Sequence, residues 1–245
     1  MSKLMTDCAN CPLRKMPLFI PFSPEDLAFM RSFKSAETQV DRNGIVLHEG
    51  ERSPLLYTVL SGLGTRSMLL PDGRRQVINF VFPGDFIGLQ SSLMGEMKHT
   101  VQATTPMVLC TFERARLWEV FRDQAERAYD LTWIAAVEEH FLGETIATLG
   151  QRDAMERLSW ALLRMYRKLS AVGLMRDGSV PLPYRQQDMA DALGLSLVHT
   201  NKTVARLRAE GLANWSGGRL SVPDPDRLAR AAGQADHREE QRPIL

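Results

Sequence analysis

Three cysteines carry the most reactive side chains of this 245-residue sequence. Cys8 and Cys11 form a Cys-x-x-Cys pair near its start, and Cys110 stands far from them in the apolar run 108–112. The spacing of the pair suits metal ligation or a redox dithiol, although one pair supplies only two thiolates. The pair could equally be two inert surface thiols, and Cys110 a small buried side chain of a strand.

A second group of functional side chains lies between residues 184 and 220, where hydrogen-bonding and cationic residues follow a helical pattern. Apolar residues at helical spacing stop at Gly194, which can supply the positive φ of a tight turn between helices. Ser196 is a candidate N-cap for a second helix that runs as far as Gly211. Two short helices around such a turn predict a helix-turn-helix with its recognition helix.

The second helix of this motif separates apolar from polar residues. Thr200, Val204 and Leu207 lie on one face, whereas amide and cationic residues point elsewhere (His199, Asn201, Lys202, Arg206, Arg208). The stretch Trp215–Val222 contains a Ser-Gly-Gly turn and predicts a small hairpin, which would make the domain winged. The alternative is an αα-hairpin and an unrelated hairpin within an ordinary α/β core.

Charge is distributed unevenly along the chain. The whole sequence carries only +1, but residues 150–219 hold eleven Lys or Arg against six Asp or Glu, a local +5. Such an excess suits phosphate binding, because neutralised phosphates release counterions. With 44% hydrophobic and 24% charged residues, the composition is that of a soluble globular protein. The absence of a long apolar run or a signal-peptide pattern predicts a cytoplasmic protein without a membrane partner.

The elements around these residues change period along the chain. Short β-rich pieces at 44–49, 55–60, 66–70, 76–82 and 107–112, split by Gly-rich turns, predict an antiparallel barrel or jelly roll. A long helix follows from about Ala125 to Leu149, and a second from Asp153 to Leu169. The apolar stripe of the long helix would pack either on its own barrel or against a second subunit. The polar residues 234–243 predict a disordered tail.

The sequence as a whole resembles the Crp/Fnr family of transcription regulators over nearly its entire length. The resemblance is carried by matching pieces in matching order (Gly50-Glu, 57–62, Pro-Gly-Asp-Phe-Ile-Gly at 83–88, Glu156-Arg-Leu, 187–195, Gly211-Leu). It implies an α+β fold with an N-terminal double-stranded β-helix sensor domain (1–124), a dimerisation helix (125–150) and a winged helix-turn-helix (151–232). Residues 233–245 then remain as the tail that polarity predicts to be disordered. The resemblance also implies a homodimer, without enzymatic activity, that binds near-palindromic promoter DNA and works with RNA polymerase.

The residues at the family's effector pocket differ from those of its cyclic-AMP binders. The cyclic-AMP binders that this chain resembles carry Glu-Leu directly after Phe-Ile-Gly, and Arg-Ser about ten residues later. The Glu accepts the ribose hydroxyl, and the Arg pairs with the cyclic phosphate. Here the candidate pocket residues are Gly88, Leu89, Gln90, His99 and Thr100. Because a buried phosphate needs a cation, cyclic AMP is not expected, although a protonated His99 beside Lys98 could accept another anion.

The oxygen-sensing branch of the family holds a four-iron cluster on four cysteines. Cys8, Cys11 and Cys110 match three of these positions, and Pro17 stands near the place of the missing one. A cubane cluster requires four ligands, so a non-cysteine ligand such as Asp7 would be needed beside the three cysteines. We therefore do not expect the cluster, and the metal or redox role of these cysteines stays open.

The recognition helix also departs from the family's usual Glu-x-x-Ser-Arg. In that register Val198 could only pack on a thymine methyl, Asn201 could pair with adenine, and Lys202 could donate to guanine or phosphate. His199 lies among them. Ser196, Arg206 and the helix start at Arg185, Gln186 and Gln187 are better placed for phosphates.

Two other functions remain open on the sequence alone. A cupin-like enzyme on the jelly roll would need an inward His/Glu metal cluster, and no His-x-His pair is present. The other is a cyclic-nucleotide- or haem-responsive regulator of the same fold.

Overall fold

The computed structural model describes residues 6–234 and 241–245. It divides into two compact units. The described residues of the N-terminal unit are 6–74, 78–138 and 241–245, and those of the C-terminal unit are 75–77 and 139–234. Within these ranges no helix is long and apolar enough to cross a membrane.

Two four-stranded sheets, both containing antiparallel strand pairs, form most of the N-terminal part of the chain. The first has the order β1-β8-β3-β6 and the second β2-β7-β4-β5. The strands are β1 (Lys34–Val40), β2 (Ile45–Leu47), β3 (Leu55–Ser61), β4 (Gly64–Leu69), β5 (Arg75–Val81), β6 (Phe86–Ile87), β7 (Thr100–Ala103) and β8 (Met107–Glu113).

Three short helices accompany these sheets: α1 (Pro24–Phe33), α2 (Leu89–Met94) and α3 (Leu117–Asp123). The start of α1 is fixed by a capping box, in which the Ser23 hydroxyl accepts from the Asp26 amide and the Asp26 carboxylate accepts from the Ser23 amide. Both groups satisfy amides that a helix terminus otherwise leaves unpaired. The helix therefore begins at Pro24, directly after its Ser23 cap.

The core of the N-terminal unit consists of two apolar clusters. One includes Phe33 and Phe112, whose rings stack with centroids 5.2 Å apart. The other includes Leu47, Val101 and Leu109, each at most 1% exposed. Val101 and Leu109 alternate with more exposed neighbours along β7 and β8, as side chains on the two faces of a sheet do.

A 27-residue helix, α4 (Ala125–Gln151), leads to the remaining elements. These are α5 (Ala154–Ala171), β9 (Ser179–Pro181), α6 (Gln186–Leu193), α7 (Leu197–Ala209), β10 (Asn214–Ser216), β11 (Arg219–Ser221) and α8 (Pro225–Ala231). The predicted helices at 125–149 and 153–169 are thus confirmed within two residues. Asp153 and Glu156 form a capping box that starts α5.

The structure adds to the sequence prediction and differs from it in places. The strands β1, β6, β7 and β9 were not predicted, because they are short or mixed in polarity. The expected disordered tail is also not what residues 241–245 show, since Ile244 and Leu245 are 4% and 6% exposed. The prediction rested on the polar stretch before them and left out this apolar pair. The part of that tail from 235 to 240 lies outside the described residues.

Candidate functional sites

The helix-turn-helix consists of α6, a three-residue turn and α7. Gly194 ends α6 in the left-handed conformation (φ 62°), as predicted, and the Leu195 amide donates to the Ala190 carbonyl over 3.1 Å. Ser196 caps α7, because its hydroxyl accepts from the His199 amide over 3.2 Å. A glycine turn followed by a capped helix start therefore fixes the point at which the second helix begins.

The inner face of α7 is buried in the C-terminal unit. Thr200, Val204 and Leu207 are at most 3% exposed, as their spacing predicted, and Thr203 joins them. Buried residues of α6, Met189 and Leu193, complete this small core. The burial leaves the opposite face of α7 as a surface whose chemistry is independent of the core.

That opposite surface brings together most of the predicted DNA-reading residues. All of the following are exposed: Ser196, Val198, His199, Asn201, Lys202 and Arg206. Val198 is an apolar residue that is 64% exposed. Lys202 forms no ion pair with any described residue, whereas the Arg206 Nε lies 2.7 Å from Glu210 Oε1. Lys202 is thus more available than Arg206 to bind an anion such as a DNA phosphate.

Two of the side chains predicted to contact phosphate at the start of α6 form hydrogen bonds within the protein. The Arg185 guanidinium donates to the Asp188 carboxylate over 3.0 Å, and the Gln187 side-chain amide donates to Asp191 over 2.5 Å. Gln186 is half-buried. Arg185 and Gln187 remain exposed, so they lie on the surface but must exchange partners to contact a phosphate.

The predicted wing is confirmed as the antiparallel pair β10 and β11, joined at Gly217-Gly218. Trp215 is buried, and its indole N–H donates to the Leu182 carbonyl over 3.0 Å. The sheet contains a third strand, β9, which pairs with β11. Sequence reasoning missed β9, because Ser179–Pro181 is three residues long and ends in proline.

The effector-pocket residues lie around α2 and β7. Gly88 has φ 99° at the start of α2, and a Cβ there would meet the Leu55 carbonyl oxygen at 3.2 Å. Leu89 and Gln90 are half-buried, and the Gln90 side-chain oxygen accepts from the Lys98 amide over 3.3 Å. The Thr100 hydroxyl accepts from the Glu49 amide over 3.1 Å. The side-chain oxygens of Gln90 and Thr100 therefore already accept hydrogen bonds from backbone amides of this region.

His99 is a buried side chain of the candidate effector pocket. It is 6% exposed, and burial together with the nearby Arg66 charge lowers the pKa of its imidazole to about 4. The imidazole of the free protein is therefore neutral at neutral pH. Lys98 is exposed and lies 2.6 Å from Glu96.

The cation of this region is instead Arg66, which sequence reasoning did not single out. It is 9% exposed, and its guanidinium donates to the Phe86 carbonyl over 3.0 Å and lies 3.4 Å from the Glu138 carboxylate. No motif signalled it, because an arginine in a strand is usually expected to be exposed.

Replacing His99 with glutamine is expected to reduce the loss in free energy of unfolding as the pH falls from about 6.5 to about 4. Since the pKa in the folded protein, about 4, is below the ordinary 6.5, the unfolded chain takes up a proton first as the pH falls. His99 thus lowers the free energy of unfolding progressively between these pH values, by up to about 3 kcal/mol. Urea titrations at several pH values, with the exposed His48→Gln as control, measure this. An identical slope in wild type and His99→Gln would contradict the assignment.

The three cysteines line one small cavity of the N-terminal unit, of about 40 Å³. Cys8 begins a single 3-10 turn (Cys8–Asn10), and its thiol lies 3.8 Å from the Met30 carbonyl oxygen. Burial raises the pKa of both Cys8 and Cys110, that of Cys110 to about 12. Both therefore stay protonated thiols at neutral pH, which makes them weak nucleophiles while buried.

The donor set around this cavity does not fit a four-iron cluster. The chain has three cysteines, and no group of three His, Cys, Asp or Glu in the described ranges is arranged to hold a metal ion. The Asp7 carboxylate, the candidate fourth ligand, pairs with the Arg31 guanidinium over 2.8 Å.

Two domain families match the chain. The cyclic nucleotide-binding domain family matches residues 37–124, and the Crp-like helix-turn-helix domain family matches residues 156–231. A β-domain of the first type followed by a winged helix-turn-helix defines a class of DNA-binding transcription regulators.

Curated relatives align with this chain over most of its length. The chain is 30% identical over 227 residues to the nitrogen fixation regulation protein FixK of Bradyrhizobium diazoefficiens, covering 92% of this chain and 93% of that protein. It is 27% identical to the transcriptional activator protein FnrL of Cereibacter sphaeroides, covering 92% of each. The solved structure of FixK2 from Bradyrhizobium japonicum superposes with a TM-score of 0.73 at 27% identity, covering 83% of this chain and 98% of that one. The chain belongs to the Crp/Fnr family of transcription regulators.

Proposed function

We propose that this regulator binds near-palindromic promoter DNA as a homodimer, with α7 of each subunit in the major groove. In this proposal residues 1–124 form a sensor domain, 125–150 the dimerisation helix and 151–232 the DNA-binding domain. The observation that carries the proposal is the division of α7 into a buried apolar face and an exposed face of amide, hydroxyl and cationic side chains. A recognition helix requires such a face.

The side chains at the start of α7 support a division between base and phosphate contacts. Val198 can pack on a thymine methyl, Asn201 can bond bidentately to adenine, and Lys202 can donate to guanine. His199 lies on the same exposed surface. Ser196 and Arg206 flank them and suit phosphates, which position the protein without reading sequence. Arg185, Gln186 and Gln187 would add phosphate contacts from the start of α6.

The homodimer is supported by the outer face of α4. Thr132, Ala135, Glu139, Leu142 and Ile146 are exposed and follow one another at three- or four-residue spacing. Ile146 is 71% exposed and Leu142 47%. Three members of this stripe, Ala135, Leu142 and Ile146, are apolar and gain free energy when a second copy covers them.

RNA polymerase is the further protein partner in this proposal. The names of FnrL and of AadR from Rhodopseudomonas palustris describe these relatives as transcriptional activators. An activator needs a contact with the transcription machinery as well as with its operator. We extend that role to this chain on the strength of its similarity to them.

Replacing Lys202 with alanine is expected to weaken operator binding by about 1–3 kcal/mol if the side chain reads a base. If it contacts only a phosphate, affinity should fall about equally for all sequences, and the salt slope should drop by about one. Gel-shift titrations of wild type and variant on operator and mutated fragments, at several salt concentrations, distinguish the two.

The matched control for Lys202 is Arg42→Ala, which removes an exposed cation of the N-terminal unit. It should leave both affinity and salt slope unchanged. Unchanged binding by Lys202→Ala would exclude this side chain from the interface, and absence of any sequence-selective binding by wild type would overturn the proposed function.

A further inference from the structure

The segment Gln241–Leu245 is built into the N-terminal unit by backbone hydrogen bonds. The Arg242 amide donates to the Leu18 carbonyl over 2.8 Å, and the Ile20 amide donates to the Arg242 carbonyl over 3.0 Å. These bonds form a parallel β-bridge between Phe19 and Arg242. The segment is therefore held as an extended peptide beside residues 18–20, in the manner of an added strand.

Side-chain contacts hold the same segment at several further points. The Arg242 guanidinium lies 3.3 Å from the Asp85 carboxylate, with both side chains largely buried. Leu245 belongs to the same apolar cluster as Phe33 and Phe112, and its carbonyl oxygen accepts from the Thr58 hydroxyl. A buried ion pair and two buried apolar side chains fix the segment in one register.

The end of this segment lies against the thiols. Ile244 and Leu245 line the cavity that the three cysteines also line. Thr58, the hydrogen-bond partner of Leu245, stands directly opposite Cys110 in the pairing of β3 with β8. Cys8 and Cys110 both pack against the cluster that contains Leu245.

We propose that Gln241–Leu245 is an intramolecular ligand of an apolar peptide-binding site on the N-terminal unit, and that its docking closes this site over Cys8 and Cys110. The site takes an extended peptide with an arginine, then a proline, then two apolar side chains, as in Arg242–Leu245. Docking of the segment and attachment of a group to a thiol compete for the same space. The free energy of docking and the free energy of modification are therefore coupled reciprocally. A group attached to Cys110 weakens docking, and loss of docking exposes Cys110. The inference is independent of DNA binding.

The high pKa of Cys110 is consistent with this closure. Burial raises it to about 12, and Ile244 and Leu245 are among the side chains around the cavity that these thiols line. Opening the site would return water to the thiol and lower its pKa toward the ordinary value, which makes it more reactive at neutral pH.

The test is the rate at which iodoacetamide alkylates each cysteine of the full chain, measured by peptide mass spectrometry. We expect Ile244→Asp, which places a charge in the apolar site, to accelerate alkylation of Cys110 by at least about tenfold, because local opening exposes it. The matched control Leu69→Asp places the same charge at a side chain of β4 that is 65% exposed and should leave the rate unchanged. Equal rates in wild type and Ile244→Asp would overturn the proposal.

A peptide experiment separates loss of docking from general unfolding. An acetylated peptide Gln-Arg-Pro-Ile-Leu should restore protection of Cys110 in Ile244→Asp in a saturable way, whereas a scrambled peptide of the same composition should not. Failure of the first peptide on a variant with native circular dichroism would refute the binding site. If Ile244→Asp does not fold, the milder Arg242→Ala decides, with faster alkylation expected and an unchanged rate contradicting the proposal.

Discussion

Replacing Ile146 with glutamate is expected to leave the protein monomeric and to lower operator affinity by at least about 100-fold, because two linked half-site contacts become independent. Ile146 is the most exposed apolar residue of the α4 stripe, at 71%. In the proposed dimer its side chain is buried against the partner, where an unpaired carboxylate is strongly unfavourable. Analytical ultracentrifugation gives the oligomeric state, and gel-shift titration gives the affinity.

The control for this dimer prediction is His140→Glu, on the same helix but to the side of the stripe, where His140 is exposed. It should preserve both the dimer and the affinity. A dimeric Ile146→Glu with unchanged sedimentation would show that α4 is not the seam between subunits. A wild-type protein that is already monomeric would show the same.

Replacing Leu207 with alanine is expected to lower the free energy of unfolding by about 2–5 kcal/mol, through lost burial and the cavity left behind. Leu207 is 1% exposed and sits on the inner face of α7, so the loss falls on the contact that holds the recognition helix in place. Urea denaturation followed by circular dichroism measures the change, and operator binding should weaken as the helix loses its fixed orientation.

The next residue in the chain supplies the control for Leu207. Arg208 is exposed, and its replacement by alanine should change the free energy of unfolding by no more than about 0.5 kcal/mol. Similar losses for Leu207→Ala and Arg208→Ala would mean that the inner and outer faces of α7 have been assigned wrongly.

The sequence predicted the helix-turn-helix in detail because local chemistry determines it. The positive φ at Gly194 favours glycine, Ser196 caps the following helix with its own side chain, and the burial of Val204 follows from helical spacing alone. Each of these features depends on residues within a few positions of one another. Periodicity and capping can therefore be read without knowledge of the rest of the fold.

Features that depend on distant residues were not predictable in the same way. The neutral state of His99 results from burial near Arg66, which lies on β4 and is distant in sequence. The short strand β9 exists because β11 offers it hydrogen-bond partners. Ile244 and Leu245 are apolar residues after a polar stretch, and only the fold supplies the site that covers them. In each case the cause is a tertiary contact that outweighs local sequence preference.

The return of Gln241–Leu245 to the N-terminal unit has a consequence for biosynthesis. The hydrogen bond from Gln241 to Pro17 joins residues 224 positions apart, so the ribosome must make the whole DNA-binding region before this contact can form. At a synthesis rate of about 5–20 residues per second, several seconds pass between synthesis of the N-terminal unit and synthesis of Gln241–Leu245. During this time Ile244 and Leu245 do not yet line the cavity that contains the three cysteines. If docking of Gln241–Leu245 closes this cavity as proposed, reagents reach Cys8 and Cys110 more easily in newly made chains than in the finished protein.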